Sequence, residues 1–199
     1  VGLDFSESAI RVARERCVSI PNATFVAGDV LETDLGRRFD AIVGRLFLHE
    51  VMHADTPRLL QRLDAMLKPG GFICFHENSY FNPFARFFRA HLVGRFGVPK
   101  HGSEHELPFD RARFEMYRDH FRYCERYVEG VELFQKIHQY LIPSRSERLA
   151  RWSARLDHCL DTLQSRTGLL NDWSYTQTIY ASQAVPRAVV FGGAASPRN

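Results

Sequence analysis

Short apolar runs bounded by turn residues recur along the first part of the chain: Thr24 to Val30, Phe39 to Gly44 and Gly71 to Glu77. Between them the apolar positions switch to helical spacing. Ala9, Ile10, Ala13 and Cys17 fall on one side of a helix of about three turns that Ser6 can cap and that Pro21-Asn22 closes off. Thr56-Pro57 has the N-cap and N1 chemistry that starts a second helix, with Leu59, Leu60, Leu63 and Leu67 on one face. Val1-Gly2-Leu3-Asp4 reads as the end of a further buried strand, so the chain is expected to begin inside a fold. Strands that are apolar throughout suit a parallel sheet covered on both faces. The alternation therefore predicts an α/β, doubly wound sheet. Arg45 to Asp55 is expected to be irregular or a short helical turn.

Beyond Glu77 the pattern loosens. Phe81, Phe84, Phe87, Phe88, Leu92 and Val93 alternate at near-helical spacing with Arg86, Arg89 and Arg95, a basic amphipathic element. Gly97 to Glu106 is a polar loop carrying His101, Glu104, His105 and Glu106, and Phe109 to Phe121 reads as a helix. Arg122 to Phe134 contains strand-like stretches. Ser146 to Leu163 predicts a second amphipathic helix, and Trp173 to Ala184 a strand. The expected organisation is one domain over residues 1–191, with helical, lid-like decorations at 80–108 and 145–165, and a disordered tail at 192–199.

Composition narrows the field only a little. A chain of 199 residues with 45% hydrophobic and 25% charged residues is ordinary for a soluble domain. A formal charge of +3 is too small to argue for nucleic acid. No apolar run is long enough to span a bilayer. Cys17, Cys74, Cys124 and Cys159 are scattered, without a C-x-x-C pair, and read as reduced thiols of a cytoplasmic protein.

Ligands of doubly wound sheets bind beyond the carboxyl ends of the strands. Asp4 and Asp29 stand at two such ends. A carboxylate there can accept hydrogen bonds from vicinal ribose hydroxyls, or it can simply cap a helix or close a turn. His49-Glu50-Val51-Met52-His53 is a literal H-E-x-x-H, which on a continuous helix places two imidazoles one turn apart for zinc. The context opposes that reading, because Thr56-Pro57 opens a new helix three residues later. Thr56 also stands where the metzincin glycine would be, and Leu59 where its third histidine would be, so no metal is expected.

Five segments together resemble the class I S-adenosylmethionine-dependent methyltransferases: Val1 to Ser6, Phe25 to Asp29, Phe39 to Val43, Leu46 to Val51 and Met66 to Phe72. The likeness covers roughly the first eighty residues, with Leu67-Lys68-Pro69-Gly70-Gly71 before a strand as its strongest element. It implies a Rossmann-like, mostly parallel sheet closed by an antiparallel C-terminal strand. Tyr123 to Phe134 and Trp173 to Ala184 are the candidates for its two antiparallel strands. It also implies S-adenosylmethionine as cofactor, with Asp4 on the ribose and Asp29 on the adenine amino group. Gly28 would leave room for the ring, Val30 and Leu31 would form its apolar wall, and Phe5, Gly44 and Arg45 would complete the site.

His49 or His53 would be the general base, Glu50 less naturally, and the acceptor would be a small molecule, apolar or anionic in character. The family's glycine-rich loop is not found in the sequence, so the expectation is a fragment preceded by roughly fifty residues carrying one more strand and helix. That strand would lie between those ending at Asp4 and Gly44, and its loss predicts a gap in the sheet and a chain that is poorly stable or self-associating. Two alternatives stay open: a catalytically silent scaffold of the same fold, and a nicotinamide-dependent oxidoreductase, which also places an acid after its second strand.

Overall fold

The first helix forms where a local cap and an apolar stripe coincide. In the computed structural model, which describes residues 1–91, 109–141 and 146–184, strand β1 (Gly2–Asp4) leads directly into helix α1 (Glu7–Arg16). Ser6 Oγ accepts from Ala9 N at 3.2 Å, and Ile10 is buried on the inner face. Strand β2 (Phe25–Ala27) then pairs with β1 in parallel, Gly2 opposite Phe25 and Asp4 opposite Ala27. A Cβ on Gly2 would come within 2.7 Å of the Phe25 ring, so this pair requires its glycine.

The second unit is larger. Strand β3 (Phe39–Arg45) is followed by helix α2 (Thr56–Met66), which turns at once into strand β4 (Leu67–Asn78). Gly70 sits at φ +81, the left-handed region that favours glycine. A Cβ on Gly71 would lie 3.0–3.1 Å from the carbonyl oxygens of Lys68, Phe39 and Asp40. Two backbones meet there, which is the physical reason for Pro69-Gly70-Gly71. Strands β3 and β4 pair in parallel from Ala41/Phe72 to Arg45/His76. Helices α3 (Pro83–His91) and α4 (Arg111–His120) follow, then strand β5 (Tyr123–Val128), helices α5 (Leu133–Leu141) and α6 (Glu147–Thr167), and strand β6 (Thr176–Ser182). Strand β6 runs antiparallel between β4 and β5, giving the order β3-β4-β6-β5.

Alternation along β4 decides where the core lies. Ile73, Phe75 and Glu77 are fully buried, while Phe72, Cys74 and His76 on the other face are only half-buried. The buried face gathers Leu59, Leu60 and Leu63 of α2 with Phe109, Tyr117 and Phe121 around α4. Among the described residues no ladder joins β1 to β3, so the sheet divides where a gap was expected.

Most sequence-derived elements recur with trimmed ends. Helix α2 is capped at Asp55, one residue before the expected position, and Thr56 is buried inside it. The two antiparallel strands fall within their candidate segments. Helix α5 was not expected. Phe134 N and Gln135 N donate to Asp157 at 2.9 Å each, and Val131 N to Asp161 at 2.8 Å, so the start of α5 is held by carboxylates of α6. Within the basic amphipathic segment Pro83–His91 forms α3, while its Leu92, Val93 and Arg95 lie outside the described residues. The 97–106 loop and the 192–199 tail lie outside the described residues.

Candidate active site

Between the two sheets lies a cavity of about 760 Å³, a size suited to a small ligand. Asp4, Phe5, Gly28, Asp29, Val30, Gly44 and Arg45, from the ends of β1, β2 and β3, all line it. Leu31, Leu35 and Met66 add apolar wall.

Asp4 and Asp29 are exposed, and each also does local work. Asp4 Oδ1 accepts from Ser6 N, and Asp29 Oδ1 accepts from Leu31 N, both at 2.8 Å. A carboxylate offers about four lone-pair sites, so one turn bond leaves it able to accept more. The two glycines have protein reasons to be glycine. A Cβ on Gly28 would lie 2.2 Å from Thr33 Oγ1, and one on Gly44 would lie 2.5 Å from the Phe47 ring. Their small size lets the loops fold against the strand ends.

A second cluster is built where β3 ends. Leu46 takes φ 53, uncommon for a branched side chain, and its N–H donates to His76 O at 2.8 Å. The chain then turns so that Phe47 N and Leu48 N both donate to Glu77 Oε1 at 2.7 Å, and His49 Nδ1 lies 3.0 Å from Glu77 Oε2. Because a carboxylate accepts, the proton of the neutral ring belongs on Nδ1, and Nε2 is then the nitrogen that takes a second proton. Nε2 lies 3.4 Å from Glu50 Oε1. Glu50 lines the cavity, whereas His49 stands behind it with a side chain 16% exposed.

The same loop is gripped from its other side by Arg113. This buried guanidinium donates to Leu48 O and Val51 O, each at 2.6 Å. Burial lowers its pKa from the usual arginine value, with Tyr117, Asp110 and Glu77 acting in the opposite direction. Glu77 thus takes the loop's N–H groups and Arg113 its carbonyls, which fixes residues 47–51 against α4.

His49 and His53 lie on two separate single turns, Leu48–Glu50 and His53–Asp55, so the H-E-x-x-H spacing does not ride on one helix. The His53 side chain lies outside the described residues. Among the described residues no group of three or more His, Cys, Asp or Glu side chains is placed to hold a metal. From the sequence, Glu77 at its strand end was expected at most to meet the acceptor, and Arg113 was passed over. One signal was present: Phe109, Arg113, Tyr117 and Phe121 recur every four residues, so an arginine occupies a position on an apolar stripe. A charge there calls for buried acceptors.

Comparisons with known proteins agree with this architecture. The methyltransferase-domain family model matches residues 1–71. Among curated proteins none matches. A SAM-dependent methyltransferase from Archaeoglobus fulgidus is similar in structure at 16% identity and a TM-score of 0.56, over 90% of this chain and 74% of that one. The N-methyltransferase NodS from Bradyrhizobium japonicum, solved with S-adenosylhomocysteine, aligns at 13% identity and a TM-score of 0.52, over 92% and 65%. The citrinin polyketide synthase CMeT domain aligns at 13% identity and a TM-score of 0.53, over 92% and 38%. The chain therefore spans under two thirds of NodS and little more than a third of the citrinin protein. The family likeness is confined to residues 1–71, and the chain as a whole carries a fold like that of the class I methyltransferases.

Proposed function

We propose that this chain binds S-adenosylmethionine between its two sheets and transfers the methyl group to a small-molecule acceptor. The observation that carries the reading is one cavity walled both by carboxylates after two parallel strands and by the loop that holds His49. Asp4 would accept from the ribose hydroxyls and Asp29 from the adenine amino group, with Val30 and Leu31 against the ring. Phe5, Gly28, Gly44 and Arg45 complete the enclosure. The donor set fits: exposed acceptors face the cavity at two strand ends, and apolar side chains lie beside them. The cofactor supplies a methyl carbon activated by its sulfonium.

The chain's own contribution is placement and proton handling. Methyl transfer depends first on alignment of the reacting atoms. His49 is the proton acceptor, through Nε2, with Glu50 between that nitrogen and the cavity and Glu77 fixing the tautomer. The imidazolium so formed lies between two carboxylates. His53 remains the second candidate for the same role. Free cysteines suit a reducing, cytoplasmic compartment. Among the described residues no helix is long and apolar enough to cross a membrane.

Calorimetric titration of S-adenosylhomocysteine tests the reading. Saturable one-to-one binding in the micromolar range is expected. No heat at several temperatures, from protein shown to be folded, would favour a silent scaffold.

A further inference from the structure

Two arginines share one carboxylate on the far side of β4 from the cavity. Arg111 Nη2 and Arg126 Nη2 each donate to Asp172 at 2.7 Å, one to each oxygen. Both guanidiniums stack on Phe81, Arg126 at 4.1 Å and Arg111 at 5.2 Å from the ring centroid. The triad therefore keeps one excess positive charge. Arg126 Nη1 is buried and has no hydrogen-bond partner, while Arg111 leaves 66% of its side chain exposed. An unmatched guanidinium held against an aromatic ring recognises a planar or tetrahedral oxyanion, which can accept from two nitrogens at once.

We propose that Arg111 and Arg126, stacked on Phe81, form a subsite for a carboxylate or phosphate group, whose affinity for an oxyanion does not rest on the methyl-transfer reading. Asp172 holds the two guanidiniums in place and competes with the incoming anion.

The test is calorimetric titration of benzoate, and separately of phenyl phosphate, into the full chain at low ionic strength, with a melt recorded for each variant. Saturable binding is expected, about tenfold weaker in Arg126→Gln, several-fold weaker in Arg111→Gln and tighter in Asp172→Asn. The tighter of the two probes identifies the group. Arg111 is exposed enough that its substitution leaves the fold intact, so a misfolded Arg126 variant does not end the test. No saturable heat with either probe, or affinities unmoved by Arg111→Gln, would overturn the subsite. Binding of S-adenosylhomocysteine without either anion overturns the subsite and keeps the methyltransferase reading. Anion binding without S-adenosylhomocysteine does the reverse.

Discussion

The two sheets divide the labour unequally. The small β1–β2 sheet presents Asp4 and Asp29 to the cavity but has little interior: among residues 1–40 only Ile10 is buried. The β3-β4-β6-β5 sheet holds the core, with Ile73, Phe75 and Ile179 fully buried, and it also seats Glu77 beneath the His49 loop. The two carboxylates proposed to bind the cofactor thus stand on the thinly packed unit, and the groups proposed to handle the proton on the densely packed one. Substitutions in the two units should report on different quantities.

Core truncation gives the largest expected contrast. Phe75→Ala should cost about 3–5 kcal/mol of stability. Val26→Ala in β2 should cost about 1 kcal/mol, because its side chain is only half-buried. Equal shifts of the two melting curves would show that the sheets are not distinct in this way.

Next comes catalysis. His49→Ala should lower kcat about 100-fold or more while leaving S-adenosylhomocysteine affinity near that of the parent, and it should lower the melt because the buried Glu77 carboxylate loses a partner. A rate unchanged at neutral pH would remove His49 from the reaction.

Asp4→Ala should weaken S-adenosylhomocysteine binding by about 1.5–3 kcal/mol, the scale of hydrogen bonds to a charged group. The melt should hardly move, because Asp4 is exposed. An affinity that stayed put would make Asp4 only the residue that caps Ser6.

The smallest effect concerns the packed unit alone. Burial pushes the Cys124 thiol up from 9.0 to about 12. The folded chain holds that proton more tightly than the unfolded chain, so this contribution to stability is complete below pH 9 and is lost as the pH rises towards 12. At pH 8 an alkylating reagent should modify exposed Cys159 well before Cys124. Modification of Cys124 at the same rate would mean that this face opens readily.

How far the sequence could be read follows the same division. Near β1, β2 and the β4 turn, local chemistry was sufficient: Ser6 caps α1 within three residues, and Gly70 and Gly71 answer to a left-handed turn and a close backbone approach. Beyond residue 109 the decisive partners are distant in sequence. Arg113 reaches across 65 residues to Leu48 O, and Asp157 across 23 to Phe134 N. No local spacing announces bonds of that kind. The seven residues expected at the site all line one cavity, because strand ends bring them together; the lock on His49 was not legible, because it joins the loop after β3 to the end of β4 and to a helix much later in the chain.

The carboxylates of Asp157 and Asp161 also set an order in time. A nine-residue helix is marginal in water by itself, and α5 starts at N–H groups that residues 157 and 161 satisfy. During synthesis α5 leaves the ribosome before those residues do. It must therefore wait for α6 to emerge, and the two helices enter the folded state together.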